Sequence, residues 1–200
     1  MENHKIPDHF TDPIDILLLN VIGKPMVEHM HDCHNMTPNM ITSIGVVMRI
    51  ISLYYLFGNL KNSKILFFVF AMLGYLFDCL DGYYARKYNM CSKFGDYYDH
   101  ISDIIYHSIL VYYLLSKTDF MKSKYFMWIS LFLTFLLFMT FIHIGCQEKY
   151  FSESGDCKSE TLNIFKKLCV DPNIMKYTRY FGCGVPITIF YLIIFYFKRI

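Results

Sequence analysis

The chain has 200 residues, 54% hydrophobic, 18% aromatic and only 18% charged, with a formal net charge of +2. Soluble domains usually carry about 25% charged residues, and the charges here cluster between long apolar runs. The composition therefore argues against an ordinary soluble domain and, with so small a net charge, against a nucleic-acid partner. The seven cysteines are odd in number and none lies in a Cys-x-x-Cys pair, so a disulfide framework is not expected.

Residues 1–12 read as a loose polar tail. The polar stretch Met1 to Phe10 does not look like a cleavable signal peptide, so the first span is expected to act as its own insertion signal. Residues 13–31 mix Ile14, Ile16, Leu17, Leu18, Leu19, Val21 and Ile22 with Lys24, Glu28 and His29. That pattern is too short and too polar to span and reads as an interfacial amphipathic helix, which Pro25 should end or kink. His29, His31, Cys33 and His34 cluster just beyond, at spacings that fit no standard zinc pattern, and read as membrane-surface residues.

Thr37-Pro38-Asn39 looks like a helix start before an apolar run. Spans are predicted over about 40–58, 63–86, 95–116, 125–142 and 177–198, with 145–176 as the longest soluble segment. The expected fold is an all-α integral membrane protein. It comprises a bundle of about five to six transmembrane helices (37–200), preceded by an N-terminal tail and interfacial helix (1–36). If the N-terminus and the loop near residue 90 share one side, eleven Lys and Arg lie there against seven opposite. That balance favours a cytoplasmic placement of that loop, in an endoplasmic-reticulum-like membrane if the source is eukaryotic.

The chemistry concentrates in one run: Asp78-Cys-Leu-Asp81-Gly82-Tyr-Tyr-Ala85-Arg86, eight further residues, then Gly95, Asp99 and Asp103. A charge at the bilayer centre costs at least about 2.5–3.5 kcal/mol, so four carboxylates here need a reason. Asp78 and Asp81 share a helix face, which Gly82 and Ala85 extend. Gly95, Asp99 and Asp103 repeat the arrangement at i, i+4 and i+8 on the next helix. The short connection makes the two helices antiparallel neighbours, so the carboxylates can converge. Alone they would repel one another. A divalent cation resolves the repulsion, and an all-carboxylate set suits Mg²⁺ or Mn²⁺ rather than zinc. Two such ions can clamp a diphosphate, with Arg86 and Lys87 at the mouth for further phosphate charge.

Other polar residues carry weaker signals. Arg49 interrupts the first span and either snorkels to the headgroups or faces the cavity to meet a phosphate. His100 and His107 are candidate acceptor or phosphate contacts. Asp96 reads as a solvated helix-start acid, and His143 as a polar end residue.

The pattern Asp-x2-Asp-Gly-x2-Ala-Arg-x8-Gly-x3-Asp-x3-Asp resembles the motif of the class-I CDP-alcohol phosphotransferases, and all eight fixed positions are present. Thr37-Pro38-Asn39 with Thr42 and Gly45 is similar to that family's first-helix entry, and the resemblance covers about residues 37–115. It implies an enzyme of phospholipid synthesis that transfers a substituted phosphate from a CDP-linked lipid or aminoalcohol donor to an alcohol and releases CMP. It also implies two divalent ions held by Asp78, Asp81, Asp99 and Asp103, with Asp103 as general base. Asp78, Gly82, Ala85, Arg86, Gly95 and Asn39 would meet the nucleotide, in a homodimer with a six-span core.

Two branches compete. Ala85-Arg86-x-x-Asn89-x-x-Ser92 with Asp99-His100 resembles the choline and ethanolamine phosphotransferases. The short chain and Lys93-Phe94-Gly95 resemble the phosphatidylinositol synthases, although the residue after the last Asp is Ile104 rather than a basic one. Serine- and glycerophosphate-type members stand behind these two. From other classes, a transporter would show carboxylates near mid-span and an inverted repeat, neither of which is visible. An inactive scaffold would have lost a motif Asp, and none is lost.

Overall fold

The computed structural model describes residues 6–34, 36–154, 157 and 159–198, with backbone only at 33 and 34. Among these residues all regular structure is helical. α1 (Pro13–Leu18) passes through a π-helical turn (Leu19–Gly23) into α2 (Lys24–His34). Pro25 therefore does not end the segment. Its ring would meet the carbonyl four residues back, at Val21, and the π turn lies there instead. His31 stacks on Tyr88 at 3.8 Å. The side chains of Cys33 and His34 lie outside the described residues.

Five long helices follow: α3 (Pro38–Phe57), α4 (Ser63–Lys87), α5 (Lys93–Lys117), α6 (Phe126–Ser154) and, after a four-residue α7 (Met175–Thr178), α8 (Gly184–Phe197). Thr37 caps α3, its hydroxyl accepting from Met40 N at 3.4 Å, with Pro38 in the first turn. Ser92 caps α5 in the same way, accepting from Gly95 N at 3.0 Å. Among the described residues four stretches are long and apolar enough to cross a membrane: Pro38–Phe57, Ser63–Lys87, Phe126–Ser154 and Pro172–Phe197. α5 has the length, but its first half carries the motif acids.

Three expectations need correction. α6 does not stop near residue 142 but runs on to Ser154. At 1.5 Å per residue it is about 43 Å long, beyond a hydrocarbon core of about 30 Å. The extension survives because its inner face (His143, Gly145, Cys146, Glu148, Phe151) is buried, against the 3₁₀ segment Leu162–Leu168 and the turns after it. That segment holds no sixth span among the described residues. The last helix begins at Gly184 rather than 177, after two 3₁₀ turns and α7. Among the described residues two disulfides are present, Cys91–Cys157 and Cys146–Cys169. Their partners are 66 and 23 residues apart, so folding rather than sequence spacing pairs them.

α3 and α4 form the tightest pair. Gly45 and Gly74 let the backbones approach: a Cβ on Gly45 would lie 3.3 Å from Gly74 O. Small residues at the contact are how membrane helices gain close packing. α5 packs more closely on α3 than on α4. The two motif helices are thus not tight neighbours along their backbones, and both line a cavity. An apolar core (Leu56, Phe67, Ala71, Leu110, Tyr191, Ile194) joins α3, α4, α5 and α8 away from the motif. A second cluster (Val27, Met30, Ile41, Leu76, Leu80, Tyr84) seats α2 on α3 and α4. Ile50, Leu131, Phe132, Phe135 and Phe138 remain exposed, as lipid-facing positions should.

Candidate active site

A cavity of about 490 Å³ opens between the N-terminal segment, α3, α4, α5 and the end of α6. Asp78, Asp81, Gly82, Ala85, Arg86, Gly95 and Asp99 of the motif line it, together with Asn39, Thr42 and His100. Gly95 is required by closeness. A Cβ there would lie 2.9 Å from Asn39 Oδ1 and 3.0 Å from Ser92 Oγ.

Carboxylate oxygens of Asp78, Asp99 and Asp103 lie within 4.8 Å of one another. Two oxygens of this set, Asp99 Oδ1 and Asp103 Oδ1, are buried without a hydrogen-bond partner among the described residues, the second being ion-paired with Arg49. A buried carboxylate oxygen left unpaired is costly. Convergent, oxygen-only and partly unsatisfied, the three carboxylates fit a hard divalent cation. Asp81, expected beside them, is engaged differently: its Oδ2 accepts from the Thr42 hydroxyl at 2.5 Å.

Arg49 does not snorkel. It is buried, its guanidinium bonding Asp78 at 2.5 Å, pairing with Asp103 and reaching Ser102 at 3.4 Å. Gly74 makes the room, since a Cβ there would lie 2.7 Å from Arg49 Cγ. Ser52 bonds Tyr106 at 2.8 Å, and Tyr191 meets His107 at 3.4 Å, forming a buried polar layer behind the triad. His107 is therefore turned into the core and is not among the cavity-wall residues. His100 faces Thr161, its Nδ1 2.9 Å from that hydroxyl.

The mouth is built from the connection between α4 and α5 and from the end of α6 with the residues that follow it. Arg86 lies over the Phe151 ring at 4.9 Å, a cation–π arrangement, and close above Gly82. Asp96 is not the solvated acid expected. It accepts from Ser159 Oγ at 2.5 Å and from the Glu160 and Thr161 amides at 3.0 Å each. With the Cys91–Cys157 bond, Asp96 holds Cys157 and residues 159–161 against the cavity as a strap. Glu148 adds a bond from Ser159 N at 2.9 Å.

Sequence reasoning missed the far wall. Asp12 caps α1 through Ile14 N at 2.8 Å and reaches Val185 N at the start of α8 at 3.0 Å. Burial raises its carboxyl above the usual range. Asp15 lines the cavity and accepts from Tyr75 Oη at 2.5 Å. Burial, then the charge of Asp12, pushes Asp15 up to about 7. The sequence signal for Asp15 was an acid within the apolar stretch 14–22, whereas Asp12 fell in the stretch read as a polar tail.

Fold and site together define a class: a helical, membrane-like protein with a convergent carboxylate triad that could hold a metal ion. The family model for CDP-alcohol phosphatidyltransferase matches residues 35–166, and the chain belongs to that family. It is 30% identical over 105 residues to choline/ethanolaminephosphotransferase 1 of Saccharomyces cerevisiae, covering 48% of this chain and 27% of that protein. It is 37% identical over 83 residues to CDP-diacylglycerol–glycerol-3-phosphate 3-phosphatidyltransferase of Rickettsia typhi, covering 40% and 45%. It is 34% identical over 86 residues to an uncharacterized protein of Aquifex aeolicus, covering 43% and 38%. The chain thus spans less than half the length of these curated relatives. No solved structure matches it.

Proposed function

We propose that this chain is a membrane phosphotransferase of phospholipid synthesis, transferring a substituted phosphate from a CDP-linked donor to an alcohol and releasing CMP. The observation that carries this reading is the convergence of Asp78, Asp99 and Asp103 beside a cavity walled by the motif's small residues.

The residues divide the work. Asp103 takes the proton from the acceptor hydroxyl as general base. The alcohol oxygen forms a bond to the β-phosphorus, and the bond from that phosphorus to the bridging oxygen breaks, leaving CMP. Arg49 fixes the Asp103 and Asp78 carboxylates across two helix interfaces. Gly82, Ala85, Gly95 and Asn39 give the cytidine diphosphate a close backbone approach, and Arg86 carries phosphate charge at the mouth. Asp78, Asp99 and Asp103, with Asp81 toward a second ion, would hold Mg²⁺ or Mn²⁺. When bound, such ions neutralise the diphosphate and the attacking and leaving oxygens. A homodimer in the lipid bilayer completes the proposal.

The test is CMP release by purified protein with Mg²⁺ or Mn²⁺. CDP-diacylglycerol, CDP-choline and CDP-ethanolamine are crossed with inositol, serine, glycerol 3-phosphate and diacylglycerol. One donor–acceptor pair should yield CMP, and Asp103→Asn should lower that rate at least about 100-fold. A protein that binds Mn²⁺ and CDP yet releases no CMP with any pair would end this reading.

A further inference from the structure

Among the described residues, the far wall of the cavity shows no metal-ligand cluster and serves none of the motif's functions. Asp15 sits there, brought to α4 by the folding of the N-terminal helix. Its Oδ1 accepts from Tyr75 Oη at 2.5 Å and lies 3.9 Å from Cys79 Sγ. Tyr75 and Cys79 flank Asp78 at −3 and +1, so Asp15 meets α4 at the level of the first motif aspartate. Space is reserved for it: a Cβ on Gly184 would lie 2.6 Å from Asp15 Oδ1. The position is thus built from α1, α4 and α8 together.

What distinguishes Asp15 from Asp12 is use. Both Asp12 oxygens accept backbone amides, Ile14 N and Val185 N, and the residue is structural. Asp15 caps nothing. Among the described residues it makes no ion pair, and no hydrogen bond is found to its Oδ2. The acids that act on it electrostatically are Asp12 and Asp78, both of its own sign. The other polar groups beside it, the Tyr75 hydroxyl and the Cys79 and Cys183 thiols, are neutral. A carboxylate enclosed in this way is stabilised by a cation, and it repels a phosphate.

We propose that Asp15 is a specificity-determining residue that receives the ammonium group of an aminoalcohol substrate bound at the metal site. The proposal rests on the phosphotransferase reading and deepens it. The substrate class is a cationic aminoalcohol, and an anionic acceptor such as glycerol 3-phosphate is disfavoured. Asp15 supplies the countercharge, Tyr75 fixes the carboxylate by its hydroxyl, and Gly184 leaves the space. The ammonium could belong to a CDP-linked aminoalcohol or to a free amino-bearing acceptor, and the experiment separates the two.

Equilibrium binding of CDP, CDP-glycerol and CDP-ethanolamine is measured by calorimetry on the detergent-solubilised full chain and on Asp15→Asn. CMP release is measured alongside with CDP-ethanolamine plus diacylglycerol, and with CDP-diacylglycerol plus serine or glycerol 3-phosphate. The wild type should bind CDP-ethanolamine at least about tenfold more tightly than CDP-glycerol. Asp15→Asn should erase that preference while leaving the affinity for CDP within about twofold, which also reports folding. A preference that appears instead as a lower KM for serine, and is lost in Asp15→Asn, supports Asp15 with a free acceptor as the source. Equal wild-type binding of the two CDP compounds, with a serine KM unmoved by the substitution in a variant that still binds CDP, overturns the proposal. CMP release with glycerol 3-phosphate alone overturns it and leaves the phosphotransferase reading intact. An Asp15-dependent binding preference without any turnover does the reverse.

Discussion

Arg49 of α3 bonds Asp78 of α4 at 2.5 Å, and the same guanidinium pairs with Asp103 of α5. One buried cation thus ties three helices together at the carboxylate triad. Removing one partner of a buried pair costs about 3–5 kcal/mol, because the other charges are left uncompensated. Arg49→Met should therefore lower the melting temperature in chelator. Added Mn²⁺ should raise it more in the variant than in the wild type, since a bound divalent ion takes over the neutralisation. Equal Mn²⁺-induced shifts would show that Arg49 and the ion do not share a task.

Two glycines should behave oppositely when changed to alanine. A Cβ on Gly145 would lie 2.1 Å from the backbone oxygen of Phe165, which cannot swing aside. A Cβ on Gly82 would meet Arg86 Nη2 at 3.2 Å, the far end of a flexible side chain. Gly145→Ala should cost about 1–3 kcal/mol or more and detach the 162–168 segment from α6. Gly82→Ala should leave stability nearly unchanged and weaken CDP binding. Thermal unfolding with nucleotide titration distinguishes them, and equal losses of stability would refute the steric account.

The Asp15 carboxyl carries a pH signature. Its value in the folded protein is about 7, raised from 3.8, so the folded state holds this proton more tightly than the unfolded chain. The stability it contributes is complete below about pH 4, declines as the pH rises and is gone above about pH 7. Asp15→Asn does not titrate. Its melting temperature relative to wild type should therefore climb between about pH 4 and pH 7 and level off above that range. Parallel curves for the two proteins would contradict the shift.

The strap should respond to two independent cuts. Cys157→Ser removes the covalent tie to Cys91, and Asp96→Ala removes three hydrogen bonds. Each should weaken CDP binding several-fold. The double variant should lose less than the sum, because both changes release one segment. Strict additivity would mean that the two ties hold different things. The same bond reports the sidedness of the site. Disulfides persist in oxidising compartments and are rare in the cytosol, whereas the Lys and Arg balance favours a cytoplasmic motif face. Labelling by an impermeant thiol reagent in sealed vesicles, before and after reduction, reads which rule prevails.

Much of the site was legible because helical periodicity is local. Asp78 and Asp81, then Gly95, Asp99 and Asp103, follow from spacing alone, and the helices bearing them were placed to within a few residues. The fate of Asp81, held by Thr42 39 residues away, was not readable. The same holds for Asp96 with Thr161, 65 residues apart, and Asp15 with Tyr75, 60 apart. These contacts depend on how the helices are arranged, which no spacing rule encodes. The extension of α6 was missed for a related reason: its polar sequence looked soluble, but the partner that buries its inner face comes later in the chain.

The double capping by Asp12 has a consequence for the order of synthesis. Its oxygens join the first turn of α1 to the start of α8, 173 residues later. The triad helices α4 and α5 are complete long before α8 leaves the ribosome. A nascent chain can therefore assemble its carboxylates early, but it lacks the wall against which Asp15 is set. The start of α8 closes the cavity, so the site is complete only once α8 has been made and has docked on α1.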